Sequence, residues 1–259
     1  MKLRDWHRNL FNKKSKIEWP CPNCGNSTLV LNADKFESNE TAESKKARDD
    51  HDYWDYDWIR LIFNGILECQ KCNETIVFNG YGNVEHRHFY DQVSDEYSEE
   101  LVETYSPTFF LPPLHVIKIP ANCPEMVRDE IIDSFKLFWF DLSSCANKIR
   151  TALEILLSEQ KVNKTALTKK GNRRRLKLHE RIIEYKKENS EIADYLLAIK
   201  WIGNSGSHVG VLERSDILDA YEILEFSLNK IFDEKELKIK KMASEINKRK
   251  GTRKKKSGK

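Results

Sequence analysis

The sequence predicts a mainly α-helical protein, in which a helical bundle follows a small α+β module built on cysteine knuckles. Three observations lead there. Apolar residues recur at three- and four-residue intervals from Glu125 onward, the spacing that lines one face of a helix. Two Cys-x-x-Cys pairs bracket a strand-like run in the first third of the chain. Between them and the helices the chain passes Pro107, Pro112, Pro113, Pro120 and Pro124, which cannot continue a helix and stiffen a connector. At 259 residues the chain is long enough for two cores. The expected division is a cysteine module at 1–106, a helical bundle at 107–234 and a basic disordered tail at 235–259.

The first sixteen residues, MKLRDWHRNLFNKKSK, alternate charge with single apolar side chains and lack the apolar centre of a secretory signal. No apolar run approaches the roughly 18 to 20 residues that span a bilayer. A composition of 39% hydrophobic and 33% charged residues agrees, so the expectation is a cytoplasmic protein without a membrane partner. In a reducing compartment six cysteines are not expected to form a disulfide framework, and the paired spacing of four of them points to a metal. Cys21-Pro22-Asn23-Cys24 and Cys69-Gln70-Lys71-Cys72 each place two thiolates on one tight turn, with 44 residues between the pairs. Four thiolates fill the tetrahedral shell of zinc and leave no open position, so one structural Zn2+ held by Cys21, Cys24, Cys69 and Cys72 is expected. With little apolar core in a ribbon, that ion would supply most of the module's folding energy. Free or redox-active thiols and an iron–sulfur cluster are the competing readings of the same four residues. Cys123 and Cys145 lack partner spacing and read as semi-buried thiols, while His86 and His88 read as exposed side chains.

Residues 34–57 interleave Glu37, Glu40, Glu43, Asp49, Asp50, Asp52, Asp55 and Asp57 with Tyr53, Trp54 and Tyr56, a pattern of loop or short exposed helix. Trp58 to Leu67 is rich in β-branched and aromatic residues and leads into Cys69. Thr75 to Phe78 reads as the next strand, with Asn79-Gly80 as its turn. In the helical part, Val127, Ile131, Ile132, Phe135, Phe138 and Trp139 form one stripe, and Ile149, Leu153, Leu156 and Leu157 a second. Asp141, Ser143 or Ser144 stand where a cap belongs between the two helices. Leu178, Ile182 and Tyr185 mark a third helix. Ser190 could cap a fourth, through Ile192, Leu196 and Ile199, and Ser215 a fifth, through Leu218, Tyr221, Leu224 and Leu228.

Charge is sorted along the chain. Residues 161–187 carry +9 and residues 235–259 carry +10, against a total of +3, which leaves −16 for the remainder. Concentrated cations on an otherwise acidic chain attract a polyanion through phosphate contacts, so RNA or DNA is the expected partner. Lys169, Lys170, Arg173, Arg174, Arg175 and Lys177 are the candidate contacts. The tail reads equally well as a solvated end.

Two further segments carry a resemblance. Arg150-Thr151-Ala152-Leu153-Glu154, then Leu178 to Ile182, then Ile202-Gly203-Asn204 followed by His208, together resemble the bacterial domain-of-unknown-function family 4145 over roughly residues 107–232. That family is grouped with the HEPN helical superfamily, and cysteine knuckles commonly precede its helical part. The resemblance implies a HEPN-like bundle, pairing of two copies into a homodimer, and a setting in bacterial antiviral defence with a defence-system protein as a further partner. Many HEPN proteins are metal-independent ribonucleases whose motif is an Arg, four to six intervening residues, then a His. Here Lys200 and His208 take those places with seven residues between them, and Lys lacks the planar fork of Arg. On that comparison His208 would be the general acid or base, Lys200 the phosphate stabiliser and Asn204 an orienting group, with Arg150 and Glu154 completing a polar cluster. The structural alternative is that Gly203-Asn204 and Gly206 end a helix, and that Arg150 and Glu154, four residues apart, form an intrahelical ion pair. Nucleic-acid binding is the leading function. The alternatives are a metal-independent ribonuclease using His208, and a non-enzymatic adaptor that docks a protein on the acidic, aromatic insertion from Asp49 to Trp58.

Overall fold

The computed structural model describes residues 10–91, 96–205 and 212–251. It overturns the mainly helical expectation: the fold is mixed, 46% helical and 23% strand, with a curled antiparallel half-barrel sheet in the amino-terminal region. The chain divides into two compact units. Unit 1 comprises Met1–Val116, Ile132–Cys145 and Leu212–Leu218, and unit 2 comprises Ile117–Ile131, Ala146–Val211 and Asp219–Lys259.

Unit 1 is organised by five strands: β1 (Leu29–Leu31), β2 (Glu37–Glu40), β3 (Arg60–Cys69), β4 (Thr75–Asp91) and β5 (Glu96–Leu111). Their order is β1-β3-β4-β5, all antiparallel, and β2 also pairs with β3. β1 lies against Leu67 to Cys69 and β2 against Leu61 to Asn64, so the two short strands follow one another along one edge of β3. The acidic insertion supplies β2, then helix α1 (Ala42–Asp50), whose first turn is capped by the Thr41 hydroxyl accepting from the Ser44 N–H, and then a 3-10 turn at Tyr56–Trp58.

Strict alternation in β3 puts Leu61, Phe63 and Leu67 inward and Arg60, Ile62 and Asn64 outward. The inner face of the sheet closes on a cluster of rings: Phe11, Trp19, Phe36, Phe63, Phe78, Tyr105, Phe110 and Trp139 meet with centroids 4.7 to 6.4 Å apart. The excess of strand over expectation comes from β4 and β5, 17 and 16 residues long. Asn79-Gly80, expected as a turn, lies inside β4 at a break in register with β5. Glycine is required there by close approach rather than by turning, because a Cβ would collide with the Ser106 carbonyl and stand 2.8 Å from the Pro107 Cα.

Helices and one hairpin make up the described part of unit 2. α2 (Glu125–Phe138), α3 (Leu142–Glu159), α4 (Leu178–Tyr185), α5 (Ser190–Ser205) and α6 (Arg214–Phe232) stand where the periodicity placed them, and α2, α3 and α6 each contribute one end to unit 1. Asp141 provides the predicted cap of α3, accepting from the Ser144 N–H at 3.0 Å. At α5 the capping side chain is Asn189, one residue before the expected Ser190, accepting from Ile192 N–H at 3.2 Å. The buried stripe of unit 2 runs through Val127, Ile131, Ile149, Leu153, Leu156, Ile182, Leu196, Ile199, Tyr221, Leu224 and Leu228. Arg181 on α4 is 3% exposed and donates to the Glu154 carbonyl at 2.7 Å, the Ser158 hydroxyl at 2.9 Å and the Val162 carbonyl at 3.3 Å. It thereby ties α4 to the carbonyl-rich end of α3. The basic segment 165–175 forms a hairpin of β6 (Thr165–Leu167) and β7 (Arg173–Arg175), and the expected disordered tail is helical over α7 (Glu234–Arg249). No helix among the described residues is long and apolar enough to cross a membrane.

Candidate metal centre and cationic cluster

In unit 1 the four predicted cysteines come together. Their sulfurs all lie within 4.8 Å of one another, with Cys21 Sγ 3.6 Å from Cys72 Sγ and Cys24 Sγ 3.6 Å from Cys69 Sγ. The two knuckles share one local geometry. Gly25 N–H bonds back to the Cys21 carbonyl and Asn73 N–H to the Cys69 carbonyl, and both residues take a left-handed conformation, φ 69° and 58°. Each leading cysteine in turn donates its N–H five residues forward, Cys21 to Asn26 and Cys69 to Glu74. β1 and β3 then hold the knuckles side by side, since Leu29 pairs directly with Cys69 and Gln70 N–H reaches the Thr28 carbonyl.

The surroundings bear on thiolate formation. Burial pushes the Cys21 thiol up to about 12. Burial acts the same way on Cys69, but there the Thr28 hydroxyl, 3.2 Å from the sulfur, and the backbone N–H groups of Cys72 and Lys71 outweigh it and bring the thiol down to about 6. Asn26 lowers Cys24 through its side chain and its backbone. Asn23 Nδ2 donates to Cys72 Sγ at 3.7 Å. These four cysteines are positioned to hold a metal ion. Cys123 and Cys145 are buried elsewhere, as ordinary thiols.

In unit 2 the residues singled out by the motifs are dispersed in part. His208 lies outside the described residues. Glu154 does not pair with Arg150 one turn away; its carboxylate meets Arg175 Nη2 of β7 at 3.1 Å. Arg174 is likewise occupied, by Glu180 at 2.5 Å and 2.9 Å. The Arg174 hydrogen bond, then the Lys177 N–H, hold the Glu180 carboxyl at about 2. Lys169, Lys170, Arg173 and Lys177 are exposed on the same hairpin and its exit.

Arg150 and Lys200 do come together. Gly203 of α5 packs against the Arg150 side chain, where a Cβ would stand 2.8 Å from Cδ and 3.0 Å from Cγ. Lys200 is only 7% exposed, and burial, then the nearby Arg150 charge, lowers its pKa. Among the described residues neither cation has a carboxylate within ion-pair distance, and the Lys200 ammonium rests 3.3 Å over the Trp201 ring. Asn204 sits half-buried one turn beyond Lys200. Sequence reasoning passed over Trp201, Thr28 and Asn23. An aromatic directly beside the motif lysine was a usable signal for the first; the other two act only through the fold.

Residues 9–110 match a family model described as a domain of unknown function (DUF8608), and residues 133–249 match another domain of unknown function (DUF4145), the family that the Arg150–Glu154 and Ile202–His208 motifs resemble. Comparison with curated proteins and with solved structures finds no match.

Proposed function

We propose that this is a nucleic-acid-binding protein in which unit 1 is stabilised by a structural zinc ion and unit 2 holds the phosphodiester backbone through Arg150, Lys200 and the basic hairpin. The observation that carries this reading is Lys200: a lysine only 7% exposed, near the Arg150 guanidinium, with no carboxylate on either among the described residues. Two like charges held together in a partly desolvated place are unfavourable for the free protein. A phosphate reverses that, accepting from both at once and restoring the lysine's charge. The exposed cations of residues 169–177 extend the positive surface along a strand's length. Phosphate contacts of this kind fix position and carry no sequence information by themselves.

Zinc is the ion this reading assigns to the cysteines. A tetrahedral zinc thiolate with bonds of about 2.3 Å has sulfur–sulfur edges of about 3.8 Å, close to the two 3.6 Å separations. Four sulfurs close the shell, so the ion orients the knuckles and activates no water. A HEPN-like relationship of unit 2, with the homodimer and defence setting it implies, is part of the same proposal and rests on the order of the motifs.

The test is fluorescence anisotropy with labelled single-stranded RNA and DNA over a range of salt, using the zinc-replete protein. The expected result is salt-sensitive binding whose log–log slope shrinks by about 1.4 in an Arg150→Met/Lys200→Met protein, two contacts at about 0.7 each. No binding at low salt, or an unchanged slope in the variant, overturns the proposal. The same samples resolved on a gel report cleavage. Cyclic-phosphate ends that disappear with His208→Ala would make the protein a ribonuclease.

A further inference from the structure

Beside the two cations stands a large aromatic side chain that a phosphate site alone does not use. Trp201 is 55% exposed, and it follows Lys200 directly on α5. A single exposed apolar residue needs no explanation, but this one has particular company. The His179 ring of α4 lies 5.8 Å from the indole, and Ile183, one turn further along α4, is also exposed. The Lys200 ammonium sits on the electron-rich face of the ring at 3.3 Å. Arg175 and Arg174 meet Glu154 on α3 and Glu180 on α4, which brings the basic hairpin onto α3 and α4. The α3, α4 and α5 segments of unit 2 therefore join an accessible aromatic ring to two cations, Arg150 and Lys200, that have no carboxylate within ion-pair distance among the described residues.

An aromatic patch ringed by acidic or neutral groups would suit a protein partner. Here Glu180 and Glu184 of α4 are paired with Arg174 and Lys187, which leaves Lys200 and Arg150 as the charges without a carboxylate among the described residues, and the occupant they fit carries a planar ring and an anion on one frame. An unpaired nucleotide has that form, whereas in a duplex each base face is already covered by its neighbours. We infer that Trp201, with His179 beside it, stacks an unpaired base of the nucleic acid whose phosphate lies on Arg150 and Lys200, so that unit 2 selects single strands over duplexes. This rests on the phosphate-binding reading above and adds the class of nucleic acid.

The experiment compares three labelled probes on the zinc-replete full chain: oligo(dT), an abasic strand of the same length, and the oligo(dT)·oligo(dA) duplex. The abasic strand keeps every phosphate and lacks every base. Wild type is expected to bind oligo(dT) about 5- to 150-fold more tightly than the abasic strand, the range that one base–aromatic stack supplies. Trp201→Ala should erase that difference, bringing oligo(dT) affinity down to that of the abasic strand, Trp201→Phe should keep part of it, and His179→Ala should reduce it. Equal wild-type affinity for the thymidine and abasic strands overturns the stacking inference and leaves the phosphate reading standing. Equal weakening of all three probes by Trp201→Ala assigns the indole a structural part only and also overturns it. Failure of wild type to bind any probe removes both.

Discussion

Replacing Cys72 by serine should melt the two knuckles and spare the sheet beneath them. The knuckles are held by four sulfurs and a few turn hydrogen bonds, and metal binding at such sites is worth about 10 to 16 kcal/mol. Read from the sequence alone, that would be most of the module's folding energy. The structure changes the balance, because unit 1 also buries Phe11, Trp19, Phe63, Phe78, Tyr105 and Phe110. At about 1.5 to 3 kcal/mol per buried large apolar side chain, these six rings contribute about 9 to 18 kcal/mol, as much as the ion. None of the six touches a sulfur through the contacts that define the knuckles, so their energy survives loss of the metal. Hydrogen exchange read by mass spectrometry is the suitable assay, with bound metal identified and counted by elemental analysis. The expected outcome is loss of stoichiometric metal and fast exchange at residues 20–31 and 67–75, with slow exchange retained in the middle of β3, β4 and β5. Rapid exchange throughout unit 1 in Cys72→Ser would refute the reasoning and make the ion the foundation of the whole sheet.

Gly203→Ala separates stability from binding. The methyl group forces Arg150 aside while the helix gains up to about 1 kcal/mol in propensity, so the melting temperature should stay near wild type as strand affinity falls. Arg181→Ala should destabilise unit 2 by about 1 to 3 kcal/mol in urea titration, because it removes the donor that Arg181 now gives the Val162 carbonyl, whereas the Glu154 carbonyl keeps the Ser158 hydroxyl. At Glu180 the folded pKa is depressed, so its contribution is present above the ordinary carboxylate range and is lost as pH falls through about 2. A carboxyl carbon titration by NMR should place the Glu180 midpoint near there, and Arg174→Gln should return it towards the ordinary range. Phosphate binding at Lys200 should fade with rising pH earlier than at an ordinary lysine, since burial and Arg150 lower its pKa; identical pH profiles for wild type and Lys200→Arg would contradict that.

What the sequence by itself determined was local. Cys-x-x-Cys spacing named Cys21, Cys24, Cys69 and Cys72 because two thiolates three residues apart meet on one turn whatever surrounds them. The three- and four-residue apolar rhythm located α2 to α6 because a helix places those positions on one face. Where the determining contact spans many residues, the sequence was silent or misleading. Asn79-Gly80 looked like a turn, and became a close crossing of β4 by Ser106 and Pro107 once β5 was in place. Glu154 looked like a partner for Arg150, yet the hairpin delivers Arg175 to it from 21 residues away. That exchange leaves Arg150 beside Lys200, fifty positions on, with Gly203 making the room. Periodicity and ligand spacing act within a turn or two of chain, whereas the choice of ion-pair partners depends on which surfaces packing brings together, and only the tertiary structure decides that.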